Sequence, residues 1–292
     1  LKEKPFYLSN TEFINSIEIQ HKLYENCVPT CNIYKAKNNK LYANINNSIV
    51  FLQEWIEGKS LNYEDYKDLN TLGMLAGKLI NGSSGINNDE NIELSRYRKI
   101  HMLDVSKESI DITINIIKRY LKDYNAQLIE YLDDIQAYLN NERNKINWIE
   151  LPKSLIHGDM HCYNIIKTIN DENVIIDFDD TFFSYRLVDV SWASALHGTW
   201  KWDKDCKNVI LNSKFDIRAL KNIMNGFQKY ITLTNEEIKA FKYFLLIMII
   251  RSLVVMYDLA DTFSTKYNII NMASINRIIK IFYNIKEINL LV

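Results

Sequence analysis

The sequence predicts an α+β fold in two unequal lobes, a small mixed one over residues 1–57 and a large, mainly helical one over residues 58–292. Three observations carry that expectation. Only 8 Gly and 3 Pro interrupt the 292 residues, which suits long helices. The stretch from Leu1 to Glu57 reads as strand, helix and hairpin, with short apolar runs between turn residues. From Gly58 onward, apolar residues recur at helical spacing in segment after segment.

The elements follow in order. Asn10 and Thr11 are placed to cap a helix whose apolar face includes Phe13, Ile17 and Leu23, and Pro29 lies beyond its end. Cys31 to Ala36 and Leu41 to Ile45 flank a Lys-Asn-Asn-Lys turn. Ile49-Val50-Phe51-Leu52 is the β-branched, apolar run of a buried strand, and Gly58 permits the change of direction after it. Helices are then expected around Leu69–Leu79, Ile110–Leu121 and Leu128–Leu139, around Leu220–Phe227, and from Phe241 and Met272 onward. Thr234 and Glu237 have the spacing of a capping box. Leu155 to Asp180 breaks the helical pattern with loop and strand.

Composition narrows the function. A formal net charge of -1 gives no global attraction to nucleic acid or anionic membrane. Tyr243 to Ile250 is the longest apolar run; Arg251 ends it, far short of the roughly 20 residues of a membrane span. No signal peptide is read at the start. Cys27, Cys31, Cys162 and Cys206 contain no CxxC pair, so free thiols in a reducing, cytoplasmic compartment are expected rather than a zinc site.

The chemistry concentrates between His157 and Asp189. His157, Asp159 and Asn164 stand as H-x-D-x-x-x-x-N, and Asp177 follows the apolar run Val174-Ile175-Ile176. In kinase catalytic loops this spacing puts a carboxylate at the attacking hydroxyl and a carboxamide oxygen on Mg²⁺. Phosphoryl transfer needs in-line positioning and neutralisation of charge more than covalent help. A hard cation with few protein oxygens suits Asn164 and Asp177 as ligands.

These residues, with Ile156-His-Gly-Asp-Met-His-Cys-Tyr-Asn, Ile176-Asp-Phe-Asp and Asp189-Val190-Ser191-Trp192-Ala193, resemble the aminoglycoside phosphotransferase/choline kinase superfamily. The spore-coat kinase-like and type II homoserine kinase-like branches are the most similar. The resemblance implies a protein-kinase-like fold, ATP and Mg²⁺ as cofactors, and a small-molecule hydroxyl acceptor; spore association is implied in the same way. It implies Asp159 as catalytic base, Asn164 and Asp177 as metal ligands, and Asp179 as an additional acid near the metal or substrate. His157 and Asp189 resemble structural braces of the loop. Lys2 resembles the phosphate-binding lysine and Glu18 its ion-pair partner, while the backbone of Glu54 and Ile56 resembles an adenine-reading hinge. No glycine-rich loop precedes Lys2, and the sequence starts at Leu1 without an initiator Met. Either that loop lies upstream of this sequence, or Lys2 is not the phosphate lysine.

Other readings compete for the same residues. Asp177, Asp179 and Thr181 fit the D-x-D-x-T pattern of haloacid dehalogenase-type phosphatases, a fold that needs alternating strands and helices after the motif. A kinase-like fold without catalysis is the second alternative. His161 reads as loop packing. Trp192, Trp200 and Trp202 read as core, with cation binding on their ring faces as the alternative. Asp258 and Asp261 read as an ordinary helix face or as anchors for an amine-bearing substrate.

Overall fold

The structure, a computed structural model, describes residues 1–86, 105–121, 126–202, 209–262 and 272–288. It has the two-lobed α+β architecture of the protein-kinase type. In the small lobe, β4 (Ser48–Gln53) is the central strand. On one side it pairs antiparallel with β1 (Lys2–Glu3), Lys2 opposite Phe51. On the other it pairs with β3 (Ala43–Ile45) and, further along, β2 (Ile33–Tyr34). The Lys37–Lys40 turn forms, with the Ala36 N–H on the Lys40 carbonyl at 2.7 Å, but its flanks do not pair with each other. Each pairs instead with β4. The tight hairpin lies at Asn46-Asn47, whose φ values of 49° and 66° are the left-handed geometry that two-residue hairpins require.

Helix α1 (Asn10–Glu25) crosses this sheet. Its cap is Ser9, one residue before the expected Asn10. The Ser9 hydroxyl accepts the Glu12 N–H while the Glu12 carboxylate accepts the Ser9 N–H, so the glutamate three residues on decides the start. Phe13 and Ile17 pack with Leu8, Ile33, Ile49 and Phe51. Ile19 and Leu23 join the larger core below.

After β4 come β5 (Gly58–Ser60), α2 (Tyr66–Gly82), α3 (Lys107–Leu121) and α4 (Ala126–Asn144). Leu128, Leu132, Ile135 and Leu139 are all buried on one stripe of α4, as their spacing requires. Four short strands follow: β6 (Lys153–Ile156), β7 (Ile165–Thr168), β8 (Asn173–Ile175) and β9 (Phe182–Tyr185). β6 pairs with β9, and β7 lies between β5 and β8, all antiparallel. Then come α5 (Leu187–Thr199), β10 (Trp200–Trp202), β11 (Val209–Leu211), α6 (Ile217–Phe227), α7 (Asn235–Thr262) and α8 (Met272–Glu287). Among the described residues the only parallel pairing is an isolated bridge from Thr30 to Ile175. The doubly wound parallel sheet of a haloacid dehalogenase-type phosphatase is therefore not what these strands build. No described helix is long and apolar enough to cross a membrane.

One ion pair fastens the end of β9 to α7. Arg186 donates from Nε and from a terminal nitrogen to the two oxygens of Glu237, each at 2.7 Å. Glu237 is buried and also completes the Thr234 capping box. Removing the guanidinium strands a buried carboxylate, so Arg186→Ala should cost about 3 kcal/mol, read as a lower urea midpoint at unchanged slope.

Candidate active site

Two loops lie side by side at the ends of the short strands. The first, residues 157–164, joins β6 to β7; the second, residues 176–181, joins β8 to β9. The His157 imidazole, fully buried, spans them. Its Nδ1 accepts the Asp159 N–H at 3.2 Å, so Nε2 carries the proton and donates to the Ile176 carbonyl at 2.9 Å. The Ile176 N–H returns to the Asn164 carbonyl at 2.9 Å, and the Thr181 hydroxyl donates to the Ile156 carbonyl at 2.7 Å. Gly158 sits at φ +85°, where a Cβ would lie 2.1 Å from the Asp180 carbonyl oxygen. Only glycine lets the loops come this close.

Helix α5 holds the first loop from below. Asp189, fully buried, accepts the N–H groups of His157 at 2.7 Å and Gly158 at 2.9 Å. Burial raises its carboxyl above the usual range, against the lowering effect of those bonds and of His157. One turn on, Trp192 donates its indole N–H to Asp159 Oδ1 at 3.2 Å. Two turns on, His197 Nε2 accepts the Cys162 N–H at 3.3 Å. Burial brings the His197 imidazole down to about 3, so it stays neutral and serves as an acceptor. Spacing of i, i+3 and i+8 puts all three on one face of the helix.

Asp159 is the most heavily bonded group here. Besides Trp192 on Oδ1, its Oδ2 receives His161 Nε2 at 3.1 Å and Asn164 Nδ2 at 3.2 Å. Burial alone would raise its carboxyl. The adjoining His161, its hydrogen bond, His157 and the Trp192 N–H bring it down to about 2. The carboxylate is therefore ionised at neutral pH while its side chain keeps 36% exposure to reach a ligand. Asn164 spends Nδ2 on Asp159, on both its carbonyl and its carboxylate, which leaves Oδ1 to offer.

Asp177 and Asp179 face the small lobe. Lys2 Nζ is 2.6 Å from Asp177 Oδ1 and 2.7 Å from Asp179 Oδ1. Despite burial, the two carboxylates push the Lys2 ammonium above its ordinary value. Asp177 has φ 66°, left-handed backbone that a non-glycine residue adopts at a cost of about 1–2 kcal/mol. The positive charge here, the Lys2 ammonium, is shared by the two carboxylates. The neighbouring donors are all oxygen, which fits a hard divalent ion. Among the described residues, no group of three or more His, Cys, Asp or Glu is arranged to hold a metal ion.

The expected Lys2–Glu18 ion pair is not formed. Glu18 lies on the solvent side of α1, between buried Ile17 and Ile19, and the ammonium turns to Asp177 and Asp179 instead. Glu54 and Ile56 lie in the irregular stretch between β4 and β5, with the Glu54 N–H bound to the Asn32 carbonyl at 2.8 Å.

His161 and Trp192 both bond to Asp159, which their sequence positions alone do not predict. His161 is more than packing: its Nδ1 accepts the Tyr163 N–H and its Nε2 reaches Asp159. Its two-residue spacing from Asp159 was the available signal. Trp192 and Trp200 are core residues at 2% and 1% exposure, with Trp200 donating to the Ser252 hydroxyl at 2.7 Å. Their enclosed faces are closed to a ligand cation. The side chains of Trp202, Asp258 and Asp261, and Cys206, lie outside the described residues.

A two-lobed fold of the protein-kinase type, with loop carboxylates beneath a small-lobe lysine, defines a class of phosphate-transferring proteins. The chain belongs to the phosphotransferase enzyme family (APH), whose model matches residues 15–213. No curated protein matches the sequence. Among solved structures it is similar to amicoumacin kinase hAmiN in complex with AMP-PNP, Ca²⁺ and Ami, with a TM-score of 0.61 and 11% identity over 96% of this chain and 78% of that one. It is similar to the microcompartment-associated aminopropanol kinase at 0.60 and 15%, covering 97% and 81% of the two chains. It also resembles a choline/ethanolamine kinase family protein from Mesorhizobium loti at 0.58 and 12%, covering 98% and 81%. At these identities the likeness shows the fold.

Proposed function

We propose that the protein is an ATP- and Mg²⁺-dependent kinase that moves the γ-phosphoryl group to a hydroxyl of a small molecule. The observation that carries this reading is the Lys2 ammonium, 175 residues from Asp177 in sequence, seated on Asp177 and Asp179. In this reading Asp159 orients the acceptor hydroxyl and takes its proton. A carboxyl near 2 is a weak base, which suits a loose transition state in which the proton leaves late. Asn164 Oδ1, Asp177 and Asp179 would hold Mg²⁺, which when bound neutralises charge on the β- and γ-phosphates. Lys2 would move from these carboxylates to the phosphates, and the Glu54 carbonyl and Ile56 N–H would read adenine. His157 and Asp189 fix the loop backbone. The acceptor belongs to the amino alcohols, sugars, homoserine or aminoglycoside-like compounds. The likeness to amicoumacin kinase and to the aminopropanol kinase supports that range.

The test is ADP formation from Mg·ATP across a panel of such acceptors. Acceptor-dependent ADP release is expected. Nucleotide binding without turnover of any acceptor would favour a non-catalytic binding protein. Hydrolysis of phosphate esters without ATP, lost in Asp177→Asn, would favour a phosphatase. Lys2→Met removes one charge-assisted contact to phosphate, so the KM for ATP should rise about 10- to 100-fold in steady-state assays.

A further inference from the structure

Trp192 is walled in on both faces, so its buried N–H is the one group it can offer to chemistry. That N–H points at Asp159 Oδ1. The other oxygen, Oδ2, is held from the loop itself by His161 and Asn164. The terminal torsion of an aspartate is broad and roughly two-fold, so donors on one oxygen alone leave the carboxylate free to swing. A donor on each oxygen, from two different elements, fixes its plane. Oδ1 is reached from α5, whose Asp189 already anchors the loop backbone one turn earlier. The helix thus sets both where the loop sits and how its carboxylate is turned.

We infer that Trp192 is a positioning residue for Asp159: its indole N–H fixes the carboxylate plane so that a lone pair faces the acceptor hydroxyl. The inference rests on the phosphotransferase reading. It also explains why a fully enclosed tryptophan belongs to the site without touching a ligand. A carboxylate that swings spends part of its time out of line with the hydroxyl, which lowers the rate of the step and leaves nucleotide binding alone.

Two measurements test it. In Trp192→Phe, which keeps an aromatic ring but no donor, kcat should fall about 10- to 100-fold while the KM for ATP stays within about twofold. A purely structural role would lower stability and disturb both parameters. The second readout needs no turnover. In protein labelled with ¹⁵N at the indoles, the Trp192 signal is assigned by its loss in Trp192→Phe or, should that variant not fold, in Trp192→Tyr. It should move upfield in Asp159→Ala as the charged acceptor disappears. Unchanged kcat in Trp192→Phe, or an indole signal indifferent to Asp159→Ala, overturns the inference alone. A wild-type protein that turns over no acceptor overturns the phosphotransferase reading and the inference with it.

Discussion

Asp159→Asn should lower phosphoryl transfer by about 10³-fold while Mg·nucleotide affinity changes little. The amide keeps the size of the carboxylate and can still accept the Trp192 N–H through its oxygen. Its nitrogen, however, is a donor facing donors. Asn164 Nδ2 and His161 Nε2 both point at Oδ2, so the amide must turn or push one of them away. The variant therefore loses the proton acceptor and disturbs its orientation together. The effect belongs in kcat, because the proposed nucleotide contacts at Lys2, Asp177, Glu54 and Ile56 are made by other residues. Steady-state kinetics beside calorimetric titration with AMP-PNP separates the two. A large loss of nucleotide affinity with kcat preserved would place Asp159 on the nucleotide rather than the acceptor.

Gly158→Ala should combine backbone strain with a backbone collision and damage both stability and catalysis. At φ +85° any L side chain costs about 1–2 kcal/mol in backbone strain. The new Cβ would also fall 2.1 Å from the Asp180 carbonyl oxygen, backbone that cannot swing away as a side chain would. Relief requires the 176–181 segment to move off the 157–164 loop. That motion pulls on the His157–Ile176 bond and shifts Asp177 and Asp179 relative to Asp159. The combined cost is about 3–5 kcal/mol, with catalysis reduced even in the folded fraction. Gly85→Ala is the internal control. It has a similar φ of +79° with nothing within 4 Å, so it carries the strain without the collision. Urea melts of both should show about 1 kcal/mol for Gly85→Ala and several-fold more for Gly158→Ala.

What the sequence revealed follows from the range over which its signals act. Periodicity is local, so the stripe on α4 and the Thr234–Glu237 box were readable, and so was the 157–177 spacing. Pairing is not local. The Lys37–Lys40 turn looked like a hairpin because it has turn residues between apolar runs. In the fold both runs find β4, and Asn46-Asn47 makes the tight turn. The resemblance implies Glu18 as the partner of Lys2, but the apolar residues on either side turn that position to solvent. The carboxylates that Lys2 does meet lie 175 and 177 positions away, beyond any pattern in the small lobe. Trp192 shows the sharpest limit. Burial at a helical position predicts packing, and nothing in the local sequence says that its one donor atom meets a carboxylate 33 residues earlier.

In the proposed mechanism Asn164 and Asp177 hold the divalent ion of a nucleotide while Asp159 serves the acceptor. The most direct measurement is Mn²⁺ affinity in the presence of AMP-PNP, followed by electron paramagnetic resonance on wild type, Asp177→Asn, Asn164→Ala and Asp159→Asn. Loss of one charged oxygen ligand should weaken binding at least about 10-fold in Asp177→Asn, with a smaller loss in Asn164→Ala. Asp159→Asn, which touches the ion only through its contact with Asn164, should weaken binding less than Asp177→Asn does. Wild-type affinity in both Asp177→Asn and Asn164→Ala would contradict the account.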